Sequence, residues 1–276
     1  MPTQKITIHN KVTIGGDERF TLIAGPCAIE NEAMILQTAE KLKDVCERLQ
    51  IPLIFKSSFD KANRSSIYAF RGVGMETGLK ILQKVRDQFE IPVVTDVHES
   101  VQCEWVAEVA DMLQIPAFLC RQTDLLVAAA RTMKPVNVKK AQFMAPEDMK
   151  NVVTKMTEAG NEQVLLCERG TAFGYHHLVV DMTSLWEMRK YGHPVVFDAT
   201  HSVQRPGDCG TFTSGNREYV APLMNAALAI GVDAIFAEVH PCPDKALSDA
   251  ANQLSLDNIE EILKHAVEID AVAKGC

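Results

Sequence analysis

The sequence lacks the features of a membrane or secreted protein. None of its apolar runs approaches the roughly 18 residues that a membrane-spanning helix needs. Residues 1–8 show no charged leader followed by an apolar stretch, which a secretory signal would have. The eight cysteines lie far apart and include no Cys-x-x-Cys pair, so the pattern does not indicate a disulfide framework. We therefore expect a cytoplasmic protein whose cysteines are mostly reduced and packed.

A basic surface and an interdomain linker are also missing. The formal net charge of −8 argues against attraction to nucleic acid or to anionic membranes, so neither is expected as a partner. No low-complexity segment or change in composition marks a domain boundary. With 276 residues, 47% of them hydrophobic, the chain can bury a large core. A single domain over residues 1–276 is the resulting expectation.

What the sequence does contain is a regular alternation of short apolar runs and helical segments. Two short alternating stretches between residues 5 and 14 flank His9 and Asn10, which predicts a β-hairpin. Eight apolar runs follow, at 20–24, 52–55, 91–95, 111–115, 135–138, 163–167, 194–197 and 234–237. Helical periodicity follows each run, at 32–49, 76–89, 101–110, 124–132, 146–158, 183–191, 219–230 and 256–273.

This order of elements predicts a fold class. Eight strand-helix units without a glycine-rich dinucleotide turn favour a (β/α)8 TIM barrel, an α/β fold, over a doubly wound sheet. The hairpin within residues 1–16 is then expected to cover the bottom of the barrel. Polar or reactive residues follow the eight predicted strands: Cys27, Lys56, Asp96, Gln114, Lys139, Arg169, His201 and Glu238. A strand often ends in a polar residue for structural reasons alone, but eight useful side chains at one barrel mouth indicate an active site.

The most informative segment, residues 56–66, reads Lys-Ser-Ser-Phe-Asp-Lys-Ala-Asn-Arg-Ser-Ser. A solvated surface loop could have this composition, but its position at a strand end favours an anion site. Lysine offers a point charge, arginine a planar fork, and serine and asparagine neutral hydrogen bonds. The cations that could serve such a site are Lys56, Lys61, Arg64, Arg121, Lys139 and Arg169. They suit two phosphates, or a phosphate and a carboxylate.

A second set of candidates has the chemistry of a metal site. It comprises Cys27, His201, Glu238 and, farther along the eighth loop, Asp249. A thiolate, an imidazole and two carboxylates suit a divalent transition metal. These residues match no short motif, and each has a structural alternative: His201 as a hydrogen-bonded core histidine, for example, and Cys27 as a thiol packed in a Gly-Pro turn. From the residues alone, the metal stays open.

Other histidines divide by their position in the predicted barrel. His98 and His240 each follow a strand end, where they are placed to support the side chains of the site. His9, His193 and His265 are predicted at the surface.

Nearly the whole chain resembles the 3-deoxy-D-manno-octulosonate 8-phosphate synthase family. The matching segments are 55–66, 95–99, 114–118, 121–124, 137–140, 167–170, 173–175, 197–202 and 246–249. The resemblance implies condensation of phosphoenolpyruvate with D-arabinose 5-phosphate and water, with release of phosphate, in the synthesis of the lipopolysaccharide inner-core sugar. It also implies a (β/α)8 barrel that assembles as a homotetramer.

The resemblance also implies a role for each matching residue. Phosphoenolpyruvate would be held by Lys56, Ser58, Lys61, Gln114, Lys139 and Arg169. Arabinose 5-phosphate would be held by Asn63, Arg64 and Ser65, with Arg121 reaching its phosphate from a neighbouring subunit. The residues implied to be catalytic are Cys27, Lys61, Asp96 and His201. For Asp96, orienting a substrate hydroxyl and steering a proton are both open, and the loop 204–218 receives no role.

Cys27 decides which branch of this family the chain resembles. A metal-free branch has asparagine at this position, so the resemblance places the chain in the metal-dependent branch. The implied ligands are Cys27, His201, Glu238 and Asp249, and the implied ion is a divalent metal of the Zn, Fe, Mn, Co or Cd type. Polarisation of the aldehyde oxygen and activation of water are both open roles for it.

Three alternatives compete with this interpretation. The nearest is 3-deoxy-D-arabino-heptulosonate 7-phosphate synthase, which uses erythrose 4-phosphate and typically has Lys-Pro-Arg where this chain has Lys-Ala-Asn-Arg at 61–64. A metal-dependent barrel hydrolase would carry His-x-His on its first strand, where this chain has Gly-Pro-Cys at 25–27. An inactive sugar-phosphate sensor would need the cations but not the metal ligands.

Overall fold

A computed structural model describes residues 2–206 and 214–275. The strands are β1 (Ile6–Ile8), β2 (Val12–Ile14), β3 (Thr21–Gly25), β4 (Leu53–Lys56), β5 (Val93–Asp96), β6 (Met112–Ile115), β7 (Val136–Lys139), β8 (Val164–Glu168), β9 (Thr171–Ala172), β10 (Leu178–Val179), β11 (Val195–Asp198), β12 (Gln204–Arg205), β13 (Ser214–Gly215), β14 (Ala234–His240) and β15 (Leu254–Ser255). The helices are α1 (Glu32–Leu49), α2 (Met75–Phe89), α3 (Ser100–Val109), α4 (Thr123–Arg131), α5 (Met149–Glu158), α6 (Met182–Arg189), α7 (Val220–Ile230) and α8 (Ile259–Lys274).

Eight parallel strands close into a barrel. Their order around the barrel is β3, β4, β5, β6, β7, β8, β11 and β14, and β14 pairs with β3 to complete the ring. A helix follows each of these strands, and helix residues share one apolar cluster with the outer face of the sheet. The predicted (β/α)8 fold is therefore confirmed, and the carboxyl ends of all eight strands face the same side.

Alternate residues of each barrel strand belong to two separate apolar clusters. Leu22 lies in the large cluster that includes Ile35 and Leu42 of α1. Its neighbour Ile23 lies in a smaller cluster with interior residues such as Val94. Because strand side chains alternate between faces, both faces of the barrel wall are dry, which explains the nearly continuous apolar runs in the sequence.

The N-terminal hairpin closes the bottom of the barrel, as predicted. Strands β1 and β2 pair antiparallel, with Ile6 opposite Ile14 and Ile8 opposite Val12. All four side chains are buried in the interior cluster of the barrel. The turn residues His9 and Asn10 both have positive φ, at 52° and 54°, as a tight two-residue hairpin turn requires.

Some element boundaries differ from the predicted ones. Helix α8 begins at Ile259, three residues after the predicted start, because Leu254–Ser255 first extends along β14 and the Leu256 amide donates to the His240 carbonyl. Helix α5 begins at Met149, since a 3-10 turn occupies Pro146–Asp148. The other predicted helices agree within one or two residues, which is the usual ambiguity of helix ends.

One surface prediction is wrong. His9 and His265 are exposed as expected, but His193 is buried at the bottom of the barrel. Its Nδ1 lies 2.8 Å from Gln4 Nε2, and the Gln4 amide donates to the Gly192 carbonyl at 2.7 Å. The N-terminal segment therefore covers this histidine, a tertiary contact that local sequence does not reveal.

The cysteines and helices agree with the compositional expectations. In agreement with the expectation that most cysteines are packed, Cys46, Cys103, Cys120 and Cys167 are buried and free, while Cys242 is free and exposed. In the part of the chain that the structure describes, every helix is too short or too polar to cross a membrane.

Candidate active site

A cavity of about 690 Å³ opens at the carboxyl ends of the barrel strands. The predicted site residues on its wall are Lys56, Lys61, Asn63, Arg64, Ser65, Gln114, Lys139, Arg169, Asp96, His201 and Asp249. Four predicted residues do not line it, Arg121 among them. Cys27, Ser58 and Glu238 are fully buried, and each contacts a residue of the wall.

The predicted metal ligands converge at one side of the barrel mouth. Cys27 lies two residues after β3, and Glu238 lies in the adjacent strand β14, opposite Gly25. The Cys27 Sγ and one carboxylate oxygen each of Glu238 and Asp249 lie within 4.8 Å of one another. His201 Nε2 lies 3.6 Å from a carboxylate oxygen of each acidic residue. Cys27, Glu238 and Asp249 therefore bring their donor atoms together, and His201 adjoins this group through the two carboxylates.

The buried Glu238 carboxylate supports a cation at this point. Neither of its oxygens has a hydrogen-bond partner among the described residues, although both are inaccessible to water. The ammonium groups of Lys56 and Lys61, at 3.8 and 3.6 Å, and the His201 ring lie within ion-pair distance, and the Cys27 Sγ lies within 4.8 Å. Because buried polar atoms are rarely left without a partner, this side chain fits a metal ligand.

Cys27 is held as a protonated thiol by its surroundings. Burial raises its pKa well above the ordinary value, and the charges of Asp249 and Glu238 add to that rise against the opposing effect of Lys61. Its Sγ lies 2.8 Å from Ser248 Oγ and 3.2 Å from Asp249 Oδ2. A divalent ion would reverse this preference, since metals bind the thiolate.

Asp198 fixes the orientation of His201. Its carboxylate lies 2.9 Å from His201 Nδ1, and it also accepts hydrogen bonds from the His201 amide and from Lys139 Nζ, at 2.9 and 2.5 Å. Because a carboxylate only accepts, Nδ1 carries a hydrogen and Nε2 faces Glu238 and Asp249. Burial acts to lower the pKa of His201, but the charges of Asp198 and Glu238 and the hydrogen bond to Asp198 together raise it.

A chain of buried hydrogen bonds forms the opposite side of the cavity floor. Lys56 Nζ donates to Ser58 Oγ at 2.7 Å, and Ser58 donates to Asp96. Gln114 Nε2 donates to the second Asp96 oxygen at 2.5 Å, and Asn137 in turn donates to Gln114 at 2.9 Å. Although burial opposes it, the charges of Lys56 and Lys61 hold the pKa of Asp96 well below its usual range. Asp96 is therefore an ionised, firmly oriented acceptor.

Two arginines on the cavity wall keep unused donors. Arg169 donates through NH2 to Gln204 Oε1 at 2.7 Å, whereas its buried NH1 has no partner in the described residues. Arg64 donates through Nε to the Phe70 carbonyl, and its buried NH2 is likewise unpartnered there. Free guanidinium groups in a cavity suit the oxygens of phosphate or carboxylate.

Arg121 lies elsewhere. It is exposed and lines a separate depression of about 360 Å³ together with Met144 and Lys155. The structure holds one chain, so the prediction that Arg121 reaches a neighbouring active site stays a prediction. His98 does line the cavity, packed edge-on against Phe59, but His240 turns away and lies 3.4 Å from Glu30.

Sequence reasoning missed several residues that support the site. Asp198 ends β11 and precedes His201 by three positions, so the strand-end rule alone could have found it. Asn137, which extends the floor, alternates with Lys139 on β7, a spacing that puts both on the inner face. Ser248 is next to Asp249, but its contact with Cys27 spans 221 positions and carries no local signal.

A (β/α)8 barrel with a charged cavity at the carboxyl ends of its strands has the architecture of a TIM-barrel enzyme. The model of the DAHP synthetase I family matches residues 3–274, and the chain belongs to that family.

Curated relatives narrow the comparison. A protein of Fusobacterium nucleatum is 61% identical over 98% of this chain and 97% of its own length. Proteins of Syntrophotalea carbinolica and Geobacter sulfurreducens are 57% and 55% identical, over 96% and 99% of this chain and 95% and 100% of theirs. All three are named 2-dehydro-3-deoxyphosphooctonate aldolase.

Proposed function

We propose that the protein condenses phosphoenolpyruvate with D-arabinose 5-phosphate and water, giving 3-deoxy-D-manno-octulosonate 8-phosphate and inorganic phosphate for the lipopolysaccharide inner core. The observation that carries this is near-full-length identity of 55–61% to relatives named for an eight-carbon phosphorylated sugar acid. Phosphoenolpyruvate supplies three carbons, so the aldose must supply five. Erythrose 4-phosphate would give a seven-carbon product. That is the product of the alternative enzyme, DAHP synthase, after which the matching family is named.

The charges of the cavity support two anionic substrates. Phosphoenolpyruvate carries a phosphate and a carboxylate, for which Lys61, Lys139 and Arg169 supply cations. Asn63, Arg64 and Ser65 lie in the loop after β4 and supply the hydrogen bonds and charge that a phosphorylated polyol needs. Lys56, Ser58 and Gln114 complete the phosphoenolpyruvate side as the hydrogen-bonded floor.

The reaction forms a carbon–carbon bond and a carbon–oxygen bond from water, and it breaks the carbon–oxygen bond to the phosphate. C3 of the enol phosphate attacks the aldehyde carbon, whose oxygen takes a proton to become a hydroxyl. Positive charge develops at C2, where water adds and loses a proton. The resulting hemiketal phosphate collapses to the ketone and inorganic phosphate. Cations at both substrates hold C3 and the aldehyde in reacting geometry, where proximity and electrostatic effects are strongest.

Asp96 orients a substrate hydroxyl in this scheme. Its pKa is held well below neutral, and Ser58 and Gln114 already fix both of its oxygens. A carboxylate in that state is a poor proton donor but a good acceptor of a hydroxyl hydrogen bond. Lys61 carries the opposite charge, because burial acts to lower its pKa but the carboxylates of Glu238, Asp96 and Asp249 favour the charged form, and its pKa is raised well above the ordinary value.

Cys27, His201, Glu238 and Asp249 would hold a divalent metal of the Zn, Fe, Mn, Co or Cd type. The unpartnered Glu238 oxygens and the mixture of soft and hard donors fit such an ion. When bound, the metal supplies a Lewis acid at the reacting oxygen atoms. The chain itself keeps these donors convergent. Asp198 orients the His201 ring, and the Gln253 side chain accepts a hydrogen bond from the Cys27 amide.

A phosphate-release assay tests the reaction and the metal separately. Phosphoenolpyruvate is supplied with arabinose 5-phosphate or erythrose 4-phosphate, with and without a chelator. We expect release with the five-carbon sugar only, and loss of that release once metal is removed. No release with arabinose 5-phosphate would refute the function. Full activity of verified metal-free protein would refute the metal assignment and leave the reaction standing.

We further propose one domain over residues 1–276, a cytoplasmic homotetramer and an active site that Arg121 completes from a neighbouring subunit. The exposed position of Arg121 outside its own cavity supports this.

Arg121→Ala and Lys61→Met proteins, each inactive alone, are mixed, dissociated and reassembled. Hybrid tetramers are expected to regain activity, because a Lys61-intact cavity can meet an intact Arg121. In the control, Lys61→Met is mixed with Arg169→Met. Both defects belong to a subunit's own cavity, so every cavity of a hybrid tetramer keeps one defect and no activity should return. No recovery in confirmed hybrid tetramers of the first pair, or equal recovery in the control, would contradict the proposal.

A further inference from the structure

A second buried charge pair lies behind the anion-binding residues. Lys140 and Glu168 are 0% and 1% exposed, and Lys140 Nζ lies 3.4 Å from Glu168 Oε1. Neither residue lines the cavity, but each has a sequence neighbour that does: Lys139 precedes Lys140, and Arg169 follows Glu168. Two neighbouring strands thus each carry a cavity cation beside a buried charge.

Strand geometry explains this arrangement. Neighbouring side chains on a strand point to opposite faces, so when Lys139 faces the barrel interior, Lys140 falls on the outer side. Strands β7 and β8 are paired there, with Lys139 opposite Cys167, and the Lys140 amide donates to the Cys167 carbonyl at 2.7 Å. The ion pair therefore joins the ends of two strands that both deliver cations to the cavity.

The Lys140 ammonium has two hydrogen-bond acceptors in addition to its counterion. Besides Glu168, it lies 3.2 Å from the Met144 carbonyl and 3.4 Å from Thr171 Oγ1. An ammonium group has three protons, and two of them are donated to these oxygens beside the ion pair with Glu168. Because an unpartnered buried charge is costly, these contacts hold the ammonium in place.

Glu168 acts on the backbone that carries Arg169. Its Oε1 accepts hydrogen bonds from the Arg169 and Gly170 amides, at 2.9 and 2.6 Å, and its Oε2 accepts one from Ser184 on α6 at 2.7 Å. Gly170 has φ +91°, which glycine adopts readily, so the chain turns sharply after Arg169. Among the residues that the structure describes, the guanidinium itself has one side-chain hydrogen bond, to Gln204. The direction of Arg169 is therefore set largely at its backbone.

We propose that Lys140 and Glu168 are positioning residues, which fix the turn at Arg169 so that its guanidinium meets an anionic group of phosphoenolpyruvate. This rests on the proposed function for the identity of the anion. A merely structural ion pair would change stability and leave the affinity for one substrate untouched.

Three variants grade the perturbation. Glu168→Gln keeps the shape but leaves Lys140 without a counterion, Lys140→Met removes the cation, and Ser184→Ala removes one hydrogen bond to Glu168. For Glu168→Gln we expect the KM for phosphoenolpyruvate to rise about 10-fold, with the KM for arabinose 5-phosphate within about twofold, because ground-state binding of one substrate is lost. Ser184→Ala should give a rise of about 2- to 5-fold. Calorimetric titration with phosphoenolpyruvate alone should show the same loss in affinity.

Arg189→Met is the matched control, since Arg189 forms a buried pair with Asp233 at the bottom of the barrel. It should lower Tm with both KM values unchanged. If Glu168→Gln behaves in the same way, with a lower Tm and both KM values unchanged, the positioning role is overturned. If Glu168→Gln does not fold, an unchanged phosphoenolpyruvate affinity in Ser184→Ala decides against it. If wild-type protein binds phosphoenolpyruvate but releases no phosphate, the proposed function is refuted. The positioning role is then still tested by the calorimetric comparison of phosphoenolpyruvate affinities.

Discussion

The two ends of the barrel differ in what their buried side chains contribute, folding stability at the bottom and ligand binding at the mouth. At the bottom, the hairpin inserts four aliphatic side chains, Ile6, Ile8, Val12 and Ile14, into the interior apolar cluster. At the mouth, buried charges face a cavity, and atoms such as the Glu238 oxygens and Arg169 NH1 have no partner in the described chain. The bottom therefore contributes folding free energy, while the mouth keeps binding capacity that only a ligand satisfies.

Substituting one arginine at each end gives the largest contrast. Arg169→Met removes a mouth cation whose side-chain hydrogen-bond partner is neutral, so no buried anion loses its only counterion. We expect kcat/KM for phosphate release to fall about 10³-fold, the loss typical of one transition-state donor. Tm should stay the same or rise, because burial already lowers the pKa of this poorly paired guanidinium.

Arg189→Met is the same change at the bottom. It leaves Asp233 buried without this cation, and we expect a loss of about 3–5 kcal/mol in the free energy of unfolding with kcat/KM unchanged. Urea unfolding and initial rates measure the two quantities. A stability loss in Arg169→Met equal to that in Arg189→Met would erase the distinction between the ends.

Ile8→Ala tests whether the hairpin serves stability alone. Ile8 is fully buried in the interior cluster, and its truncation should cost about 2–5 kcal/mol through lost transfer energy and a new cavity. The exposed neighbour Thr7→Ala should change stability by less than about 0.5 kcal/mol. Both variants should keep wild-type kcat/KM below their melting temperatures. A rate defect in Ile8→Ala at a temperature where it is fully folded would show that the two ends are coupled.

Much of this contrast could be predicted from the sequence. Alternation at residues 5–14 predicted the hairpin, and polar residues after eight apolar runs predicted the mouth, because both are local patterns. The contacts of Cys27 with Ser248 and of Gln4 with His193 could not be predicted, since each joins residues far apart in the chain. The Lys140–Glu168 pair lay beside two predicted site residues, but its orientation depends on strand register, which sequence alone does not fix.

Metal binding should stabilise the mouth only when the Cys27 thiol is present. Protein stripped with a chelator should gain about 2.7 kcal/mol of unfolding free energy with Zn²⁺ or Cd²⁺ at a hundred times the dissociation constant. Cys27→Asn should lose most of this gain, whereas Cys242→Ser, at an exposed thiol, should keep it. Thermal unfolding with and without metal measures it, and a full gain in Cys27→Asn would remove Cys27 from the ligand set.

The same variant tests the exchange between branches that the family resemblance suggests. Cys27→Asn is expected to release phosphate without metal, because asparagine occupies this position in the metal-free branch. Titration with each substrate provides the control for site integrity. A variant that binds both substrates normally but is inactive with and without metal would argue that the exchange needs further changes around the site.

The smallest expected effect is a pH dependence at the bottom. Burial lowers the pKa of His193, with weaker opposing effects from the Val164 backbone and Glu162. The neutral ring accepts a hydrogen bond from Gln4, and a protonated ring cannot. The unfolded chain therefore binds this proton at higher pH than the folded chain does. Stability is intact above the ordinary histidine pKa and is lost as pH falls through the window down to the lower folded value.

His193→Gln should flatten that part of the pH profile, by about 1.4 kcal/mol for each unit by which the folded pKa lies below the ordinary value. Urea midpoints at pH 8 and pH 5 measure the difference, and His265→Gln, at an exposed position, is the control that should keep the wild-type slope. Because His193 lies at the end of the barrel away from the cavity, the KM values should be the same in both variants at each pH. A matching change of slope in His265→Gln would assign the effect to net charge instead of to the covered histidine, and the bottom of the barrel would then be insensitive to pH.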